Sequence, residues 1–219
     1  MTEQSLHNQL KEWYTGEDAA VEATVDGYVV DVVRDGLLIE IQTGNFSAIK
    51  EKLRALLGSH RVRLIHPVPR IKWIIRLDGD GAQVSRRRSP KRGRVEEVFY
   101  ELVYIPEICE TPSFELEVVL VDAEEYLIDD GKGSWRRRRW SIHDRRLVEV
   151  VERHIFKCPK DYLKLLPEGL PQEFTARQLA KASRLRITLT QKMVYCLRRM
   201  KVLEVSGRKG RANLYRVIR

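Results

Sequence analysis

The sequence lacks the features of a membrane protein or of a disulfide-rich secreted protein. No apolar run approaches the roughly 18–20 residues that a membrane-spanning helix needs. The N-terminal segment MTEQSLHNQL has neither the basic nor the apolar region of a signal peptide. The three cysteines, Cys109, Cys158 and Cys196, form no Cys-x-x-Cys pair, which argues against a zinc site. We therefore expect a soluble, cytoplasmic protein that has no membrane partner.

Acidic residues are scarce in the C-terminal part of the chain and abundant in the N-terminal part. Residues 175–219 contain thirteen lysines and arginines but only one acid, Glu204, whereas residues 1–60 contain five basic and ten acidic residues. The net charge is +9. This asymmetry indicates a cation-binding site near the N-terminus and a module for a polyanion near the C-terminus.

The N-terminal third has hydrophobic periodicities that predict the order α-β-β-β-α-β. Two Asp-Gly pairs between apolar runs, at 26–27 and 35–36, are typical of hairpin turns. The predicted elements are a helix at 3–14, strands at 20–25, 28–34 and 37–43, a helix at 46–57, and a short strand at 61–66 that ends at Pro67.

The middle of the chain predicts a further strand at 71–77 and a flexible loop at 82–95. That loop has six basic residues and no acid. Beyond it the segment 96–105 fits either a helix or a strand, with a helix slightly favoured, and we predict a strand at 114–122 and a helix at 144–156. Between the last two lies a run of four arginines, 136–139, flanked by Trp135 and Trp140, which slightly favours nucleic-acid binding.

Two acids stand out in the stretch 28–43, which reads YVVDVVRDGLLIEIQT. Because side chains alternate between the faces of a strand, Asp31 and Glu40 are expected on one face. The opposite face would supply core residues: Val30, Val32, Ile39 and Ile41. A buried carboxylate needs a partner or a cation, so the pair predicts a divalent metal site. The alternative is a pair of acids on a solvent-facing sheet surface.

Residues 1–66 resemble the core of the PD-(D/E)XK nuclease superfamily, which includes restriction endonucleases and Holliday-junction resolvases. The superfamily has the same α-β-β-β-α-β order, with an acid on the second strand and (D/E)-x-K on the third. Asp31 matches the first acid and Glu40 the second, while Gln42 stands where the lysine usually does. The resemblance implies a restriction endonuclease-like α/β fold, with an extended mixed sheet, and hydrolysis of phosphodiester bonds.

The candidate catalytic residues follow from this arrangement. Asp31 and Glu40 would hold Mg²⁺ or Mn²⁺, because Mg²⁺ prefers one or two carboxylates together with waters and phosphate oxygens. Gln42 would orient the attacking water, and Lys50 or Lys52 on the next helix would supply the missing positive charge. Glu22 is a candidate further ligand or base; His7 and Lys11, one helical turn apart, are also expected near the site.

The last sixty residues resemble winged-helix DNA-binding domains. A short helix at 161–166, a second helix ending near Ser183, a third helix ending near Lys201 and a basic hairpin with the sequence SGRKGR follow one another. The resemblance implies that the third helix enters the major groove and exposes Thr190 and Tyr195. The candidate nucleic-acid-binding residues of the basic loop, this helix and the hairpin are Arg86, Arg87, Arg88, Lys91, Arg92, Arg94, Gln191, Lys192, Arg198, Arg208, Lys209 and Arg211.

The sequence therefore predicts a metal-dependent nuclease, most simply a DNA endonuclease. Residues 1–157 would form the nuclease-like domain, with its core at 1–66 and a basic extension at 67–157, and residues 158–219 the winged helix. Nucleic acid, as duplex or branched DNA, is the expected partner, and a homodimer is implied by resemblance. Two alternatives stay open: a non-catalytic DNA-binding protein on the same fold, and a subunit of a defence or repair complex.

Overall fold

A mixed sheet dominates the computed structural model, which describes residues 4–17, 19–130 and 140–218, residue 4 by its backbone alone. Among these residues seven strands form the sheet in the order β1-β2-β3-β4-β6-β7, and β5 pairs with β4 outside that path. The first elements are α1 (Gln4–Tyr14), β1 (Ala20–Val25), β2 (Tyr28–Arg34), β3 (Leu37–Ile41), α2 (Phe46–Leu56) and β4 (Arg61–Leu77). The α/β class predicted from the sequence is confirmed, and the arginine run at 136–139 lies outside the described residues.

The remaining elements complete the sheet and add a smaller unit. They are β5 (Gln83–Arg88), α3 (Phe99–Leu102), β6 (Phe114–Asp129), β7 (Trp140–Phe156), β8 (Glu173–Phe174), α4 (Ala176–Ser183), α5 (Ile187–Arg199), β9 (Leu203–Lys209) and β10 (Ala212–Val217). Short 3-10 helices lie at Val95–Val98, Pro106–Glu110 and Pro159–Leu165. Strands β8, β10 and β9 form an antiparallel sheet beside α4 and α5. No helix of the described part has the length and apolarity needed to span a membrane.

Helices cover both faces of the large sheet. On one face α1 packs Leu6 and Leu10 against Ile39 and Ile41, a cluster that we call the α1-side core. On the other face α2, α3, α4 and α5 contribute to a larger cluster, the α2-side core, which includes Phe46, Leu53, Leu64, Leu116, Leu179 and Leu197. Burial on both faces explains apolar stretches of the central strands such as VVLV at 118–121 of β6.

The predicted strand end at Pro67 is wrong, because β4 continues to Leu77 without a break. Proline has no N–H group and is excluded from positions where a strand needs that donor. On one edge, β4 pairs with β3 up to Ile65 and with β5 from Trp73 onward. Pro67 and Pro69 lie between these limits, where that edge has no neighbouring strand, so the missing donors cost little.

The predicted helix at 144–156 is also wrong, because this segment forms β7, antiparallel to β6. A bulge explains the misleading pattern: Ala123 pairs with Leu147 and Asp122 with Glu149, which leaves Val148 unpaired and exposed. The extra residue brings Leu147 and Val150 onto the same face, against the α1-side core. A spacing of three on one face is the signature of a helix, and here a bulge produces it.

The basic segment is more ordered than the predicted loop. Residues 83–88 form β5, which pairs with residues 73–77 of β4. Gly93 then approaches β4 so closely that a Cβ atom at this position would lie 2.2 Å from the carbonyl oxygen of Pro69. The predicted helix at 96–105 is present only as the 3-10 turn at Val95–Val98 and the single turn of α3.

A buried carboxylate in the centre of the sheet depends on donors from three elements. Glu117 of β6 is fully buried and accepts hydrogen bonds from the hydroxyl of Tyr14 at 2.7 Å, from Arg153 and from Arg63. The network connects α1, β4, β6 and β7. A buried charge that loses one of its donors is destabilising, because the donor is not replaced by water.

We expect Tyr14→Phe to lower the free energy of unfolding by about 1.5–3 kcal/mol, because Glu117 loses a donor to a charged group. Urea unfolding followed by circular dichroism measures the change. Tyr104→Phe is the matched control, since Tyr104 is 47% exposed. Equal stabilities of the two variants would contradict the importance of this hydrogen bond.

Candidate functional site

Asp31 lies on β2 in contact with α1 and β3. Its Oδ2 atom is 3.1 Å from Nε2 of His7 and accepts the backbone N–H of Ile41 at 2.8 Å. Its Oδ1 atom is 4.0 Å from Nζ of Lys11, which also forms a 2.6 Å ion pair with Glu22. The structure therefore brings Asp31, Glu22, His7 and Lys11 together, as the sequence predicted.

The regular alternation of side chains between the two faces of β2 is broken at Asp31. Val30 packs in the α2-side core, whereas Val32 packs in the α1-side core, so strict alternation fails at the residue between them. On the adjacent strand, Glu22 lies between the residues that pair with Val32 and Val30 and has a left-handed φ of 53°. The predicted sharing of one face by Val30 and Val32 is wrong, although both are buried.

Glu40 lies on β3 beside Asp31 and is only 4% exposed. Lys52, one and a half turns into α2, forms an ion pair with Glu40 and donates to the carbonyl oxygen of Val29 at 2.5 Å. Of the two lysines predicted to supply a positive charge, Lys52 reaches the acid pair. Lys50 instead lies near Glu107, whose pKa it helps to lower.

The two acids have opposite electrostatic shifts. Burial raises the pKa of Glu40 above its ordinary value, and the charge of Asp31 adds to the rise, although Lys52 opposes it. Burial acts on Asp31 in the same direction, but hydrogen bonds from His7 and from the Ile41 N–H outweigh it and hold the pKa of Asp31 below its ordinary value. Asp31 also raises the pKa of His7. The pair thus combines Asp31, which ionises readily, with Glu40, whose ionised form depends on the charge of Lys52.

Gln42 lies at the end of β3, but its side chain turns toward the following loop. Its amide nitrogen donates to the carbonyl oxygens of Gly44 and Asn45. No hydrogen bond to Asp31 or Glu40 is present among the described residues. The predicted role of Gln42 in holding water therefore requires a rearrangement of this side chain.

The donor set of Asp31 and Glu40 fits a small divalent cation. Mg²⁺ accepts one or two carboxylates and keeps several waters. Oδ1 of Asp31 has no hydrogen-bond partner within the described residues, and its nearest cation is Lys11 at 4.0 Å. No cluster of three or more metal-ligating side chains occurs in the described ranges, so waters and substrate would complete the coordination.

The basic segment divides into paired and unpaired cations. Arg86 stacks on Trp73, with its guanidinium carbon 4.1 Å from the ring centre, and forms an ion pair with Glu124 at 3.1 Å. Lys91 pairs with Glu97, and Arg94 pairs with Glu96 while donating to the carbonyl oxygen of Ser183. Within the basic segment at 82–95, the exposed cations that form no ion pair with an acid are Arg87, Arg88 and Arg92.

A second basic surface lies on the C-terminal unit. A groove of about 760 Å³ between α4, α5 and the β9–β10 hairpin is lined by cations and polar groups that include Arg177, Lys181, Gln191, Lys209 and Arg211. Arg198 and Arg208 are exposed, and Lys192 is half-buried. Thr190, predicted to be exposed, is fully buried and donates to the carbonyl oxygen of Ile187.

The groove residues Arg177 and Lys181 were not among the residues predicted from the sequence. Their spacing of four was visible and places both on one helix face. The stacking of Arg86 on Trp73 has no signal in the sequence, since the two residues meet only when β5 pairs with β4.

The comparisons with known proteins identify the family of the chain. Residues 4–157 match the model of a domain of unknown function, DUF8091. The chain belongs to this family. An uncharacterized protein of Treponema pallidum (strain Nichols) is 29% identical over 221 residues, which cover 98% of this chain and 85% of the relative. No solved structure matches the chain.

The His7–Asp31 pair of this DUF8091 protein should make stability depend on pH. The pKa of His7 is raised from 6.5 and that of Asp31 is lowered from 3.8. The stabilisation from charged His7 is complete below the unfolded-state pKa and disappears as the pH rises through the folded-state pKa. The contribution of Asp31 is complete above 3.8 and disappears as the pH falls further.

We expect His7→Gln to destabilise the protein more at about pH 5.5 than at about pH 8.5, because only the charged imidazole pairs fully with Asp31. Unfolding in urea at both pH values measures the difference. His143→Gln, at an exposed histidine, is the matched control and should have a small effect at both. A larger effect of His7→Gln at the higher pH would contradict the charged pair.

Proposed function

We propose that this protein is a metal-dependent nuclease whose active site is built around Asp31 and Glu40. The observation that carries the proposal is the convergence of two acids from adjacent strands with an ammonium group, that of Lys52, beside them. The element order and the parallel placement of β4 beside β3 support the resemblance to the restriction endonuclease-like core. DNA, duplex or branched, is the expected substrate.

Each residue would have a defined task. Asp31 and Glu40 would hold Mg²⁺ or Mn²⁺, which when bound stabilises charge on the phosphoryl group and acidifies water. Lys52 would stabilise negative charge that develops near Glu40, taking the position of the lysine that Gln42 replaces. Lys11 would keep Glu22 close to the site through their ion pair. His7 orients Asp31 through the 3.1 Å contact to Oδ2, which leaves Oδ1 for a ligand.

Two basic surfaces would hold the substrate. The first consists of Arg87, Arg88 and Arg92, and the second is the groove of the C-terminal unit, which we interpret as a winged helix. Its α4, α5 and hairpin follow one another in the order of that family, and its boundary at residue 158 stays a prediction. Phosphate contacts of this kind position a nucleic acid without reading its sequence.

A second candidate function is nucleic-acid binding without cleavage. The observation that favours it is that groups of the protein already occupy the site. Lys52 forms an ion pair with Glu40, and the amide of Gln42 donates to the carbonyl oxygen of Gly44. In that case the core would serve as a scaffold or a dimer module, alone or within a defence or repair complex. A cleavage assay separates the two functions.

We expect Asp31→Asn with Glu40→Gln to lower the rate of cleavage at least about a hundredfold, because loss of metal-bound charge stabilisation costs several kcal/mol in the transition state. The assay uses purified protein with duplex, branched and single-stranded DNA and with RNA, in Mg²⁺, Mn²⁺ or EDTA. Asp26→Asn with Glu51→Gln, at two exposed acids, is the matched control. Absence of metal-dependent cleavage on every substrate would leave the non-catalytic function.

The basic segment should contribute to nucleic-acid affinity in a salt-dependent way. We expect replacement of Arg87, Arg88 and Arg92 by Gln to reduce the slope of log K against log salt by about 3, if each contacts one phosphate. Fluorescence anisotropy with a labelled duplex measures the slope. The control replaces Arg34 of β2, Arg54 of α2 and Arg61 at the start of β4, and equal slopes for both triple variants would contradict the assignment.

A further inference from the structure

A pocket of about 290 Å³ lies where β3 ends and the parallel strand β4 continues past it. It is lined by His66 and Val68 of β4, Leu6 of α1 and Tyr100 of α3. Ligands of α/β sheets bind outside the carboxyl ends of parallel strands. The volume is at the small end of the range for ligand pockets, which favours a single ring system over a dinucleotide.

The imidazole of His66 presents an acceptor to this pocket. Nδ1 lies 2.8 Å from the carbonyl oxygen of Gln42, which can only accept, so Nδ1 carries the proton. Burial lowers the pKa of His66 and keeps the ring neutral near pH 7. His66 is 6% exposed, and its Nε2 has no hydrogen-bond partner among the described residues. A buried acceptor in a polar pocket is a position for a ligand donor.

The charges around His66 compensate one another. Lys72 and Arg145 both pair with Glu125, at 2.9 and 3.2 Å, and Lys91 pairs with Glu97 at 2.7 Å. Such pairs offer donors and acceptors at fixed positions, and Glu101, which also lines the pocket, balances the third cation. An anion would have to displace the carboxylates, so the pocket suits an uncharged ligand.

We propose that the His66 pocket binds a nucleobase, as an uncharged planar ring that carries both hydrogen-bond donors and acceptors. Nε2 of His66 would accept an N–H of the base, and the side chains of Lys72 and Glu125 would contact its polar edge. Leu6, Val68 and Tyr100 would cover the faces of the ring. Enzymes that recognise single bases extrude them from the stack into pockets of this kind.

The position of the pocket relates it to the basic segment. Lys91 lines the pocket and lies next to exposed Arg92, one of the three unpaired cations. A nucleic-acid strand bound at Arg87, Arg88 and Arg92 would thus pass the opening of the pocket. The inference rests on the proposed function only for the origin of the base, since a free nucleoside tests the pocket without cleavage.

Calorimetric titration of the full-length protein with adenosine, guanosine, cytidine, uridine and thymidine tests the proposal. We expect saturable binding of at least one nucleoside and no binding of ribose or inorganic phosphate. His66→Asn should weaken binding at least about tenfold, because asparagine keeps the donor to Gln42 but removes the Nε2 acceptor. His60→Asn, outside the pocket beside Asp26, is the matched control and should bind like the unaltered protein.

Lys72→Gln keeps His66 in place and provides a second test if His66→Asn does not fold; it too should weaken nucleoside binding. Asp31→Asn should leave nucleoside binding unchanged, so failure of the nuclease proposal and failure of the pocket proposal are distinguishable. The proposal is overturned if no nucleoside binds, if ribose or phosphate binds equally well, or if folded His66→Asn and Lys72→Gln variants retain full affinity.

Discussion

The parallel pairing of β4 with β6 is the interaction on which the other elements depend. It extends from Val62 opposite Phe114 to Leu77 opposite Ile128. The first part of β4 holds β3 and with it Glu40, and the last part holds β5 and its arginines. Between them one edge of β4 has no neighbouring strand, and His66 and the two prolines lie in this stretch. One long strand thus positions the acid pair, the pocket and the basic surface relative to one another.

Compensation of buried charge is the second constraint on the molecule. Glu117 depends on Tyr14, Arg63 and Arg153, and Glu125 depends on Lys72 and Arg145. The same principle applies at the candidate active site, where Glu40 is paired with Lys52. A buried acid without a partner costs several kcal/mol. Any ligand of the acid pair must therefore compete with a cation of the protein itself, which makes occupancy of the site depend on ligand charge.

The predictable and unpredictable parts of the fold differ in their physical origin. The first six elements followed from periodicity and from two Asp-Gly turns, because their information is local. The continuation of β4 through Pro67 did not, since it depends on which edge of the strand lacks a neighbour. The segment that forms β7 could not be recognised as a strand from its sequence either, because the bulge at Val148 gives its apolar residues the spacing of a helix.

The residues of the candidate site also divide into those that the sequence predicted and those that depend on the tertiary structure. Asp31 and Glu40 were visible as acids in apolar strands, and their approach follows from a hairpin whose turn is local. Lys52 rather than Lys50 pairs with Glu40 because of the way α2 packs on the sheet. The side chain of Gln42 points toward Gly44 because of the conformation of the loop. His66 was not a predicted site residue; it lines the pocket because α1, α3 and β4 meet there.

By itself, then, the sequence determined the acid pair, the basic segments and the local elements that carry them, because turns and side-chain periodicity act over a few residues. Only the tertiary structure decided which charges compensate one another and which remain available to a ligand. Those outcomes depend on contacts between residues far apart in the chain, whose distances no local pattern encodes.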